Sequence, residues 1–133
     1  DWPWYGNLVG AYFGGHPAQQ TATLYVADKN NIATRHLPDP WQRKDEWYSF
    51  KWMATGLHVL LTIDESSYSQ GKIKPMGYHP MAWYHEYDGA RVFYTELGHT
   101  EESYTDPLYL QHLLGGIEYA LGKKPGAKLH FKN

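Results

Sequence analysis

The chain has 133 residues, the length of one domain or a large piece of one. With 42% apolar and 20% charged residues it is expected to fold, and a net charge of −2 with scattered basic residues gives no electrostatic reason to expect nucleic acid. The lack of cysteine excludes disulfides, thiolate metal sites and a cysteine nucleophile from this chain, and no apolar run approaches the ~20 residues that span a bilayer.

In chain order, residues 1–15 (DWPWYGNLVGAYFGG) read as a short helix: Trp4, Leu8, Ala11 and Tyr12 recur at roughly helical spacing, and Gly14-Gly15 ends it. Residues 19–27 alternate and are β-branched, which predicts a strand. Residues 28–40 are a loop with a helical turn at 32–36. Residues 43–50 (RKDEWYSF) read as one strand. Residues 57–63 (LHVLLTI) are a strand whose near-continuous apolar run predicts burial on both faces, the character of a parallel core. A long polar loop, 64–80, follows, and loops of this length inside compact domains are often functional.

Residues 81–87 and 90–97 flank Asp88-Gly89, the strongest hairpin signal in the chain. Residues 106–121 form an amphipathic helix with Asp106 as N-cap, Pro107 at the first helical position and Gly122 just past the end. Its apolar face is read as Leu110, Leu113, Leu114, Ile117 and Leu121. The basic residues of 123–133 (Lys123, Lys124, Lys128, Lys132) are read as a solvated, loosely held polar tail, leaving 1–122 as the folded portion.

Aromatic residues are 17% of the chain, and there are eight histidines. Tyr and Trp bring a polar atom to an apolar face and stack on sugar rings, although filling a core is their commoner use. The run HPMAWYHEYDGARVFYTELGHTEESYTDPLYLQHLLGGIEYA (79–120) resembles the C-terminal signature of the trehalose-utilisation (ThuA-like) family, H-P-x-x-W-x-x-x-x-D-G-x-R-x-F-Y-x-x-L-G-H-x-x-x-S-[YF]-x-[DE]-P. DWPWYGNLVGAYFGGHP (1–17), HLPDPW (36–41), DEWY (45–48) and VLLTIDESSY (59–68) resemble the same family in the same order.

The resemblance implies an α/β fold: a partial flavodoxin-like, amidotransferase-like mixed sheet with flanking helices, closing in a hairpin plus helix. It also implies an N-terminal half ahead of the equivalent of Asp1, with the first strands and a Gly-x-His-Ala type motif. A partner supplying that half, or self-association, is therefore expected. Asp1 is not a natural start, and the compartment, cytoplasmic or periplasmic/secreted, is left open.

His99 and Glu101 follow a predicted strand, where ligands of open α/β sheets bind. Their His-x-Glu spacing resembles the amidotransferase pair of base and orienting carboxylate, and both are catalytic candidates. Without a cysteine, glutamine hydrolysis is not expected. Asp45 and Trp47 should share one face of their strand, and Glu46 and Tyr48 the other. Carboxylates beside aromatics suit hydroxyl-rich ligands, and the resemblance favours Asp45, Glu46 and Tyr48 lining a pocket.

His79 is read as a polar pocket residue, and His16 and Trp83 complete the substrate-binding candidates, although Trp83 reads more readily as core. His16, His79, His85 and His99 could instead converge on a divalent metal. No close pairing such as H-x-x-x-H supports this, so no cofactor is expected. The resemblance implies bacterial carbohydrate metabolism, on trehalose-type or keto-disaccharides, by hydrolase-, lyase- or isomerase-type acid–base catalysis. The competing readings are a non-catalytic sugar-binding module and an incomplete fragment of a larger protein.

Overall fold

A computed structural model describes residues 2–128. Pro3 opens helix α1 (Pro3–Val9), where its missing N–H costs nothing. Gly10 ends the helix in the left-handed region at φ 90°, its N–H bonding Gly6 O at 2.8 Å. The helix expected over 1–15 therefore stops at Val9, and 11–15 become strand β1 (Ala11–Gly15).

Strand β2 (Gln20–Val26) follows as expected, then β3 (Trp41–Asp45), β4 (Ser49–Met53), β5 (His58–Ile63), β6 (Pro80–Tyr87) and β7 (Ala90–Thr95). The single strand expected over 43–50 is thus two strands joined by 46–48, and they belong to different sheets. Strand β4 pairs with β1, while β3 is the edge of a five-stranded sheet in the order β3-β2-β5-β6-β7. All the pairings are antiparallel. Strand β5 is central, and its adjacent Leu60 and Leu61 are both fully buried. Neighbours on a strand point to opposite faces, so both faces are covered, as the apolar run predicts, although its neighbours run antiparallel.

Asp88 and Gly89 turn the β6–β7 hairpin at φ 50° and 75°, the two positive φ values of a type I′ turn. The main core gathers Leu24, Trp47, Leu60, Leu61 and Met81, and a smaller cluster of Ala11, Phe50 and Trp83 lies by the two-stranded sheet.

Helix α2 (Pro107–Ala120) begins as read: the Asp106 carboxylate accepts the Leu108 N–H at 2.9 Å and Pro107 takes the first position. Its buried side is not the one expected. Tyr109, His112, Gly115, Gly116 and Tyr119 face inward, whereas Leu110, Leu114, Ile117 and Leu121 are exposed and Leu113 is only partly buried. The glycines explain this orientation. A Cβ on Gly115 would sit 2.6 Å from Ala33 Cα and Ile32 O, and one on Gly116 would sit 2.2 Å from the Phe93 ring. Only a side without Cβ atoms admits that approach, and contact made through glycine adds nothing to an apolar count.

The start of the expected loose tail is tied down. Pro125 O accepts the Ile32 N–H at 2.6 Å, and Gly126 O accepts from Arg35 at 2.8 Å. Residues 129–133, with His130 and Lys132, lie outside the described residues. Among the described residues no helix is long and apolar enough to cross a membrane.

Candidate functional site

The chain's passage from β3 to β4 creates the site. Alternation persists through 45–48 although the strand pairing breaks. Asp45 and Trp47 turn inward and are both fully buried, Glu46 is 8% exposed, and Tyr48 is partly exposed. Beside them runs the loop after β7. There Gly98 sits at φ 107°, and a Cβ would fall 2.2 Å from the Tyr109 hydroxyl. Only glycine meets both conditions.

Two consecutive carboxylates grip that loop. Asp45 accepts the N–H groups of Gly98 at 2.9 Å and His99 at 3.1 Å, and that of Glu46 at 2.9 Å. Its charge is matched by Arg43 at 3.1 Å, a cation that also lies over the Trp41 and Tyr109 rings. Glu46 takes the other side. Its Oε2 lies 3.1 Å from His99 Nδ1, and its Oε1 lies 3.4 Å from His16 Nδ1. The His16 N–H also reaches Pro17 O at 2.9 Å. Burial first, and then the Glu46 carboxylate near it, push the Tyr48 hydroxyl up to about 12, so it keeps its proton. The His99 and His16 side chains are 46% and 39% exposed, and neither Nε2 has a protein partner among the described residues.

Several expectations need correction. Glu101 does not orient His99; it is exposed on the 3₁₀ turn Glu101–Thr105, and Glu46 takes its place. Asp45 is saturated by backbone donors and cannot reach a ligand hydroxyl. His79 is 1% exposed, its Nε2–H donating to Tyr48 O at 2.7 Å and its Nδ1 3.0 Å from Glu65 Oε1, so it braces the backbone rather than lining a pocket. Burial would raise the Glu65 carboxyl, but the N–H groups of Met76 and Gly77, with the His79 ring, outweigh it and hold the pKa below the usual value. Trp83 is fully buried, donating to Val9 O at 2.9 Å and stacked on Tyr94 at 4.3 Å. His85 bonds Leu8 O at 2.7 Å. The four histidines therefore do not converge, and among the described residues no three His, Cys, Asp or Glu are grouped to hold a metal ion.

Other members of the site escaped the sequence reading. Glu96, 6% exposed, accepts the Tyr48 N–H at 3.0 Å, while its Oε2 has no partner among the described residues. Burial first, and then the Asp45 charge, push its carboxyl well above the usual range. Phe13, 52% exposed, sets its ring edgewise to Tyr48 at 4.9 Å. The alternation of β7 could have marked Glu96; nothing in the sequence marked Phe13.

A groove of about 790 Å³ is not walled by Glu46 or His99. Lys72 and Ile73 line both it and a cleft of about 440 Å³ that has His16 in its wall. The candidate site is the Glu46 cluster, where oriented titratable groups meet solvent, rather than this groove.

The family model described as trehalose utilisation (ThuA) matches residues 1–120. No curated protein matches the chain. The fold is similar to the crystal structure of a ThuA-like protein from Bacteroides uniformis ATCC 8492, at TM-score 0.74 and 22% identity, covering 92% of this chain and 52% of that one. It is also similar to a ThuA-like protein from Parabacteroides merdae ATCC 43184, at TM-score 0.59 and 24% identity, covering 91% of this chain and 51% of that one. The chain thus spans about half the length of these structures, and at such identity the likeness speaks for the fold alone. With the family model matching nearly its whole length, the chain belongs to the ThuA trehalose-utilisation family.

Proposed function

We propose that the chain carries an acid–base carbohydrate site in which His99 moves the proton and Glu46 holds its ring. In this reading His16 and Tyr48 bind sugar hydroxyls of a trehalose-type or keto-disaccharide. The observation that carries it is Glu46 bridging His99 at 3.1 Å and His16 at 3.4 Å, with both rings partly open to solvent. A carboxylate on Nδ1–H fixes the tautomer and leaves the Nε2 lone pair outward, the state a general base requires. A proton next to a sugar ketone is acidic enough for an imidazole to remove. The imidazolium that forms is stabilised by the carboxylate it already touches. Phe13 offers an exposed ring for a pyranose face beside Tyr48 and His16.

The test compares the protein with its His99→Ala and Glu46→Gln variants on trehalose and keto-trehalose, following turnover and binding separately. A loss of roughly 10²–10⁴ in turnover with binding kept is the expected result for His99→Ala. Unchanged turnover in that variant overturns the reading. The second reading, a non-catalytic sugar-binding module, is favoured by the exposed Phe13 ring beside Tyr48 and predicts binding without turnover in every form.

A further inference from the structure

The 790 Å³ groove has a character of its own. Lys51 on β4 and Lys72 and Lys74 on the loop 68–79 line it, and Trp52 and Tyr78, 40% and 68% exposed, add aromatic surface. Elsewhere Lys29 pairs with Asp39 at 2.8 Å and Lys123 with Glu118 at 2.6 Å. None of the three groove lysines has a carboxylate partner among the described residues. The acidic residue tied to this loop, Glu65, is already occupied by the N–H groups of Met76 at 2.7 Å and Gly77 at 3.0 Å and by His79. A groove lined by uncompensated charge of one sign concentrates ligands of the opposite sign. Its volume lies within the ~300–1,000 Å³ of ordinary small-molecule sites.

The groove adjoins the cleft that His16 walls, Lys72 and Ile73 lining both. Gly15 permits this closeness: a Cβ there would lie 2.9 Å from Ile73 Cδ1.

We infer that this groove is an anion subsite adjoining the His16 cleft, taking the phosphate of a phosphorylated saccharide whose sugar lies toward His16. Three ammonium groups match a dianionic phosphate better than a single carboxylate. The sugar's placement rests on the function proposed above, whereas the anion subsite does not.

The experiment measures binding of inorganic phosphate, trehalose and trehalose 6-phosphate to the protein. The same ligands are tested on a Lys51→Met/Lys72→Met/Lys74→Met variant, on the matching triple arginine variant and on Glu46→Gln. These lysines are exposed, so the methionine variant should fold, and the arginine variant controls for lost charge. The expected result is trehalose 6-phosphate binding about tenfold or more tighter than trehalose at low salt, an advantage lost in the methionine variant, restored by arginine and weakened by salt.

Equal affinity for the two sugars, or an advantage that survives the methionine variant, overturns the anion subsite and leaves the sugar reading intact. Phosphate binding that depends on the lysines, with trehalose unbound and Glu46→Gln without effect, supports the subsite and defeats the sugar reading. No binding of any probe defeats both.

Discussion

His112 offers the cleanest quantitative test of the packing around α2. The ring is fully buried, with Nδ1 at 2.8 Å from Ala33 O and Nε2 at 3.0 Å from the Thr95 hydroxyl. Ala33 O can only accept, so Nδ1 carries the proton; burial keeps the ring neutral, and Nε2 then accepts from the Thr95 hydroxyl. Burial pushes its pKa down from 6.5 to about 4. The unfolded chain therefore binds a proton near pH 6.5, and the folded chain only near pH 4. Stability from this group is intact above pH 6.5 and is lost as pH falls through that window. At 1.36 kcal/mol per unit the loss is about 2 kcal/mol by pH 5, and on the order of 3 kcal/mol near pH 4.

Glu96 acts in the opposite direction. Its raised pKa makes the folded state take up a proton first, so its contribution grows as pH falls, and a single stability profile would mix the two effects. The assay is therefore a difference: denaturant unfolding of the wild type and of His112→Gln from pH 7 to pH 5. Gln has no titrating group, and Glu96 is common to both. The wild type's advantage at pH 7 should shrink by about 2 kcal/mol at pH 5. Curves that stay parallel would refute the neutral, buried imidazole.

Two further outcomes test the architecture. Gly115→Ala should cost about 1–3 kcal/mol, because its Cβ would meet backbone at 2.6 Å that cannot give way, whereas Gly122→Ala, in open space at φ 107°, should cost about 1 kcal/mol; thermal melts of both variants check the order. Asp45→Asn should destabilise by about 3 kcal/mol, since it leaves the buried Arg43 guanidinium with only the more distant, partly exposed Asp106 carboxylate at 3.6 Å and weakens the grip on the Gly98 and His99 amides. In the same variant the Glu96 carboxyl should titrate closer to its ordinary range, read by carboxyl-carbon NMR.

Features governed by local chemistry were legible in the sequence. Asp88-Gly89 announced its turn because that backbone needs two positive φ values, and Asp106-Pro107 announced the start of α2 because capping and φ restriction act within a few residues. What failed was tertiary. The inward side of α2 is chosen by Gly115 and Gly116, which contribute approach rather than apolar area. The break at 46–48 arises because β4 finds a partner in β1, nearly forty residues away, and nothing local marks a change of sheet. His99 and Glu46 were each identifiable, but their pairing crosses 53 positions, and the nearby Glu101 offered a false substitute. Arg43 and Asp45, two apart on one strand, share a face, and that ion pair could have been read.

The neighbouring carboxylates at 45 and 46 do two different things because a strand's alternation continues through a segment whose pairing has ended. Asp45, turned inward, fixes where the His99 backbone lies; Glu46, turned outward, fixes how the His99 ring points. Main chain and imidazole are thus set by adjacent residues with no flexible segment between them, and both contacts are 3.1 Å. Orientation of that kind is what a proton-transferring group requires and a merely solvated histidine lacks. Its cost is visible beneath the site, where burial first and then the charge of Asp45 raise the Glu96 carboxyl, with the buried Arg43 cation acting against them. A structural purpose alone would be met by Asp45 and Arg43. Among the described residues Glu46 takes no backbone donor: it holds two partly exposed imidazoles, the arrangement expected of a group kept for what enters from solvent.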